Sequence, residues 1–137
     1  MVCIYCGGKT RIYNSRSMQR SNNTWRRRVC TLCDTAFTTI EAADYSKHIT
    51  VRSQTKTTSE FNRDRLLISL HASLQHRADP LDDAVGICET VVNSVAQHSN
   101  NGMLTTTTIR ETVITVLKRF DALAAQHYSA MHPAHLL

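Results

Sequence analysis

The sequence predicts an α+β protein: a small N-terminal β module built on four cysteines, then a mostly α-helical module opened by a β-hairpin. Three observations predict it. Cys3-Ile-Tyr-Cys6 and Cys30-Thr-Leu-Cys33 are two CxxC pairs separated by 23 residues. The interval between them carries strand-like runs around a turn. From Asn62 onward, apolar residues recur at threes and fours, the period of amphipathic helices.

The cysteine spacing fits a structural zinc site. Zn²⁺ takes four ligands tetrahedrally and favours thiolates, and each CxxC turn offers two sulfurs to one side of the metal. Within the interval, Lys9–Tyr13 and Thr24–Val29 read as strands, with Ser21-Asn22-Asn23 as the turn between them. Ala36–Ile40 reads as a closing strand. Gly7-Gly8 supplies the backbone freedom a metal knuckle needs. The product is a zinc ribbon over residues 1–42, with Cys3, Cys6, Cys30 and Cys33 as ligands. A module this small buries little core, so Zn²⁺ holds it together. A redox CxxC needs only one pair and a βαβ context that is absent. Disulfides are disfavoured because no hydrophobic secretory segment follows Met1, which points to a reducing compartment. Cys88 lies among apolar residues at helical spacing and reads as core.

Charge divides the chain in the same place. The net charge is +5. Residues 1–40 hold Lys9, Arg11, Arg16, Arg20, Arg26, Arg27 and Arg28 against Asp34 alone, whereas residues 41–137 hold nine Lys/Arg and ten Asp/Glu. A compact basic module joined to a near-neutral one suggests a nucleic-acid reader joined to something else. No long apolar run is present, so a membrane span is not expected. On a strand, Arg26 and Arg28 share one face with Thr24, while Trp25 points with Arg27. Arg11, Arg16, Arg26, Arg27 and Arg28 are the candidate DNA contacts, through phosphates and guanine edges.

Glu41–Ser46 reads as a linker. Ile49–Arg52 is a short β-type run, Thr55–Ser59 a turn, and Glu60-Phe61 the lead into a first helix from Asn62 to His76 with Leu66, Leu67, Leu70 and Leu74 on its apolar face. Asp79 and Pro80 start a second helix, whose face is Val85, Cys88, Val91, Val92 and Val95 and whose end is Asn100-Asn101-Gly102. Thr105–Val116 is rich in β-branched residues, yet Ile109, Val113, Val116, Leu117, Phe120, Leu123 and Ala124 keep the helical period. Thr108 and Glu111 suit a capping box, and this third helix is expected to continue to about Ala130.

Taken together, Trp25-Arg-Arg-Arg-Val-Cys30-Thr-Leu-Cys33-Asp-Thr-Ala-Phe37-Thr-Thr-Ile-Glu41 resembles the signature of the NrdR transcriptional repressors, and Asn14-Ser15-Arg16 stands at that family's Asp-Ser-Arg. Glu60-Phe61-Asn62-Arg63-Asp64-Arg65-Leu66 resembles the opening of the family's ATP-cone helix, and His76-Arg77 stands at its closing Lys-Arg. The resemblance implies a zinc ribbon that binds double-stranded operator boxes of ribonucleotide reductase genes. It implies an ATP-cone, residues 47–134, that binds ATP or dATP as regulatory ligand. It also implies homo-oligomers formed through the helical domain and a cytoplasmic, bacterial setting. The chain departs from the family in the hairpin, Thr50–Lys56, which has no glycine, and in the C-terminal helix, where His127 and His132 replace the family's arginine and a tyrosine. Val51, Arg52, Lys56, Arg65 and His76 are the candidate nucleotide-binding residues.

No P-loop and no GxGxxG occurs, so a standard NTPase is not indicated. No acid–base or nucleophile constellation is readable, although His127, His132 and His135 cluster near one end; the protein is not expected to be an enzyme. The alternative is a zinc-ribbon accessory factor of transcription or translation whose helical part only docks on a protein.

Overall fold

The computed structural model describes residues 1–19 and 21–134. The chain forms two compact units, Met1–Ala43 and Asp44–Leu137. Arg20 and His135 lie outside the described residues.

The first unit is a three-stranded antiparallel sheet in the order β1 (Thr10–Met18), β2 (Asn23–Cys30), β3 (Ala36–Glu41). β1 runs five residues beyond the Tyr13 at which the apolar–polar alternation stops, because β2 continues to pair with it as far as Met18. Asn22 makes the β1–β2 turn with φ +52°, a left-handed conformation that asparagine tolerates better than most residues. The β1–β2 register shifts between Ile12 and Asn14, leaving Tyr13 as the extra residue of a bulge. Among the described residues of this unit, the buried hydrophobic core is Cys3, Cys30 and Phe37.

In the second unit, a 3₁₀ turn (Tyr45–Lys47) leads into β4 (Thr50–Arg52) and β5 (Thr58–Glu60), which form the expected hairpin. β5 takes in Thr58 and Ser59, which the sequence assigns to the turn. A third strand, β6 (Met103–Thr105), pairs in parallel with the other edge of β4. It is too short for any period to show. Gly102, with φ +73°, turns the chain into it, and its carbonyl accepts from the Thr50 amide at 2.8 Å.

Four helices supply most of the core. α1 (Arg63–Ser73) is capped by Asn62, whose side chain accepts from the Arg65 amide at 2.9 Å. It stops short of His76, with Leu70, Leu74 and the hydroxyl of Ser73 buried. α2 (Pro80–His98) starts at the proline as expected, although the Asp79 side chain makes no cap bond. Its buried face is Ala84, Ile87, Cys88, Val91, Val92 and Val95; Val85, placed there by the sequence pattern, is exposed.

The expected third helix is two. α3 (Thr106–Phe120) ends at Asp121, and α4 (Ala122–Met131) begins there. Asp121 is extended, and its Oδ1 accepts from the amides of Leu123 (2.9 Å) and Ala124 (3.0 Å). A short carboxylate that bonds nearby main chain competes with helix continuation, so the aspartate starts a new helix inside an unbroken apolar pattern. The cap of α3 is Thr105, three residues earlier than the Thr108–Glu111 box. The threonines inside α3 are tolerated because Thr112 and Thr115 donate to carbonyls one turn back, both at 2.8 Å, while Val113 and Leu117 are fully buried.

Candidate functional site

The two knuckles bring Cys3, Cys6, Cys30 and Cys33 together, every sulfur within 4.8 Å of the others. Cys3–Cys33 is 3.8 Å, and Cys6–Cys30 and Cys6–Cys33 are both 3.4 Å. A tetrahedron with Zn–S near about 2.3 Å has edges near about 3.8 Å, so the sulfurs stand at the spacing the metal needs and not at bonded distance. All five cysteines are free thiols. Knuckle amides point at the sulfurs: Leu32 and Cys33 donate to Cys30 at 3.3 and 3.5 Å, and Tyr5 donates to Cys3 at 3.5 Å. Gly7, at φ +71°, closes the first knuckle.

The thiols hold their protons unequally. Hydrogen bonding with Thr35, at its side chain and then its backbone, brings Cys33 down to about 6. The Gly8 amide pulls Cys6 down, but the sulfurs of Cys33 and Cys30 outweigh it and push Cys6 up to about 12. Four sulfurs this close cannot all become anions unless a cation joins them, and that is the chemistry of a Cys₄ zinc site. Cys88 is buried in the helical core and takes no part.

The ribbon sheet sorts its arginines. Arg26 lies opposite Thr39, and Arg28 opposite Phe37, on the face that carries Thr24 and Glu41. That face is engaged internally: Arg26 pairs with Glu41 at 2.5 Å, and Arg28 donates from Nε to Thr39 at 3.1 Å. On the other face lie Trp25, Arg27, Arg11 (opposite Val29) and Arg16 (opposite Trp25). Arg11 and Arg16 are five positions apart, and unbroken alternation would put them on opposite faces. The bulge at Tyr13 shifts the parity and brings them together. Arg11, Arg16 and Arg27 are exposed, and among the described residues none of the three is in an ion pair. Five basic candidates thus divide into an exposed group of three beside the only tryptophan, of which Arg27 reaches the Thr38 hydroxyl at 3.5 Å, and a half-buried, internally held pair.

In the second unit, a cavity of about 250 Å³ opens between β4–β5, α1, α3 and α4. Its apolar walls include Val51, Phe61, Leu66, Ile109 and Tyr128, and its polar groups include Arg65, Ser69, Arg110 and His132. A more polar cavity of about 580 Å³, lined also by Asp44, Ser46, Arg63 and Asp64, shares Arg65 with it. Of the five candidate nucleotide residues, Val51 and Arg65 line the first cavity. Arg52, Lys56 and His76 do not. Lys56 sits at the hairpin turn with φ +63°. His76 lies beyond the end of α1, paired with Asp121 at 3.0 Å and edge-on to His127. Arg77 also reaches Asp121, at 3.3 Å, and Asp83, at 2.6 Å. The Ala124 amide, then His76, then Arg77 hold the Asp121 carboxyl well below the usual carboxylate range.

Arg110, Tyr128 and Ser69 are cavity residues that the sequence reading does not single out, and His132 enters it only as a departure from the family and as one of three histidines near one end. A signal for Arg110 exists: it lies three and seven positions before the buried Val113 and Leu117, so a cation shares the apolar stripe of α3. Burial, and then Arg110, lower the His132 imidazole from its ordinary value, and burial raises the Tyr128 hydroxyl.

A metal-held sheet with one exposed arginine face, followed by a separate helical unit with an arginine-bearing cavity, is the build of a ligand-responsive nucleic-acid-binding protein. Residues 1–41 match the family described as "Transcriptional repressor NrdR-like, N-terminal domain", and residues 49–134 match the "ATP cone domain". The chain belongs to the NrdR family. Among its curated relatives, a transcriptional repressor NrdR of Leptothrix cholodnii is 30% identical over 136 residues, covering 96% of this chain and 89% of the relative. Relatives of the same name from Acidiphilium cryptum and Symbiobacterium thermophilum are 29% and 26% identical, each covering 96% of this chain and 87% of theirs.

Proposed function

We propose that this protein is a zinc-dependent transcriptional repressor that binds double-stranded operator DNA through its ribbon and is regulated by ATP or dATP bound in its ATP-cone. Ribonucleotide reductase genes are the target that the family resemblance implies. The observation that carries the reading is the arginine face itself. Arg11, Arg16 and Arg27 stand exposed and without an ion-pair partner among the described residues, on a sheet that the cysteine cluster anchors, beside an aromatic ring that can pack on sugar or base. Three guanidinium forks on a fixed surface suit phosphates and guanine edges. Arg26 and Arg28, held by Glu41 and Thr39, support that surface from behind.

In the cone, Arg65 is the phosphate partner, Val51 and Phe61 flank the base, and Glu60 can accept from ribose or amino donors. The second unit is the part suited to self-association, because it carries apolar surface without strong net charge. A homo-oligomer built there presents ribbons in pairs, and pairing multiplies weak single-ribbon contacts through effective concentration. The chain performs no chemistry of its own and works in the cytoplasm of a bacterium. Among the described residues, no helix is long and apolar enough to cross a membrane.

Operator binding by fluorescence anisotropy, run beside light scattering in the apo, ATP and dATP states, tests this. A change in operator affinity that follows a nucleotide-dependent change in particle mass is expected. Operator binding that ignores nucleotide, in a particle of constant mass, would leave the cone as a docking module and overturn the regulatory half. A nucleotide shifts such an equilibrium only if it binds the two states with different affinity.

A further inference from the structure

The cations on the cone's cavity are not the ones the hairpin supplies. Arg52 and Lys56 lie off the lining, so of the predicted cations only Arg65 remains on it. A triphosphate needs more positive charge than one arginine gives. Arg110 of α3 lines the same cavity, and among the described residues no carboxylate pairs with it.

The side chain of Arg110 is held by main chain. Its Nε donates to the carbonyl oxygen of His132 at 2.6 Å. That carbonyl follows the last turn of α4, where helix carbonyls lack partners within their own helix. The same turn is tied down three more times. His132 Nε2 bonds to the Ser69 hydroxyl of α1, the His132 ring lies against Tyr128 with centroids 4.5 Å apart, and Gln54 of the hairpin donates to the Ala134 carbonyl at 3.2 Å. The anchor is therefore tied to α1 and to the hairpin as well as to its own helix. A guanidinium gripped through Nε keeps its two terminal nitrogens at the opposite end of a rigid plane. That end is a fork matched to two phosphate oxygens. Arg65 and Arg110 are the arginines among the described lining residues of the cavity.

We infer that Arg110 is a phosphate-binding residue of the nucleotide cavity, positioned by the main-chain carbonyl of His132. The inference rests on the reading of this cavity as the adenine-nucleotide site. It gives the chain a phosphate partner from α3 where the glycine-free hairpin supplies none.

Arg110→Gln is the informative variant, because its amide can still donate to the His132 carbonyl while the fork is gone. Calorimetric titration of the full-length, zinc-loaded chain with ATP and with adenosine separates the roles. The variant is expected to lose roughly 10- to 100-fold in ATP affinity, the size of one charge-assisted contact, and to bind adenosine as the parent does. Arg110→Ala, with its fold checked by thermal melting, is expected to lose at least as much for ATP. Equal losses for ATP and adenosine would make Arg110 a structural residue and overturn the inference. Unchanged ATP affinity in a variant whose parent binds ATP would overturn it alone. A parent that binds neither ligand would overturn the cavity reading with it.

Discussion

Removing one zinc ligand tests the link between metal and fold in the first unit. Cys30→Ser is the sharpest choice, because Cys30 is fully buried at the end of β2 and receives two knuckle amides. The ribbon has one large buried apolar side chain, Phe37, which contributes about 2 kcal/mol by transfer. A module of this length has a net stability of only about 2–6 kcal/mol. Structural zinc supplies on the order of 10–16 kcal/mol, so losing it exceeds everything else the ribbon has. A serine hydroxyl does not replace a thiolate, and the variant ribbon is expected to be unfolded at neutral pH. The chain carries its own reporter, since its only tryptophan, Trp25, lies in β2. Trp25 emission should shift to the red and lose its cooperative melt in the variant, or in the parent after chelation. The far-ultraviolet helix signal, which comes from the second unit, should persist. A zinc-free protein whose Trp25 spectrum and melt match those of the loaded parent would refute the reasoning.

Three further outcomes follow from the same structure. Arg16→Ala and Arg27→Ala should each reduce the slope of log affinity against log salt by about one, whereas Arg26→Ala, already paired with Glu41, should leave it nearly unchanged; equal slopes for all three would remove the distinction between the two faces. Asp121→Asn should melt below the parent at neutral pH. The folded carboxyl is depressed, so its contribution is present above the ordinary carboxylate pKa and lost as pH falls, and the gap between parent and variant should close in acid; a gap independent of pH would refute the role of its charge. Gly102→Ala should cost more than about 1 kcal/mol in urea unfolding, because a Cβ there would stand 2.4 Å from the His48 carbonyl oxygen in a left-handed backbone; unchanged stability would show that the β4–β6 junction shifts freely.

The metal ligands were the most legible part of the sequence, because zinc fixes both residue type and spacing. The ribbon strands and α2 were also legible, through alternation and through Pro80. What the sequence hid has physical causes. An apolar stripe says nothing about a cap within it, so the break at Asp121 was invisible until its side chain was seen bonding to Leu123 and Ala124. The grouping of Arg11 with Arg16 depends on one bulged residue, and period-two reasoning has no means of counting it. The cavity was only half legible. Val51 and Arg65 belong to a local hairpin–helix pattern, whereas Arg110 and His132 arrive from distant helices, and only tertiary packing brings them to the same wall.

The parallel pairing of β6 with β4 bears on how the second unit is made. As the chain leaves the ribosome, β4 and β5 can find each other at once. The far edge of β4 must then wait, with its main-chain groups unpaired, through the whole of α1 and α2 before Met103–Thr105 arrives. An open strand edge is a template for another copy of itself, and loop closure over that length slows the step that covers this one. The interval between hairpin synthesis and β6 docking is therefore when nascent chains are most exposed to pairing with one another. A polysome carrying several of them would concentrate that risk. Stiffening the short connection between α1 and α2, which supplies no residue to the cavity lining, should raise the yield of soluble protein.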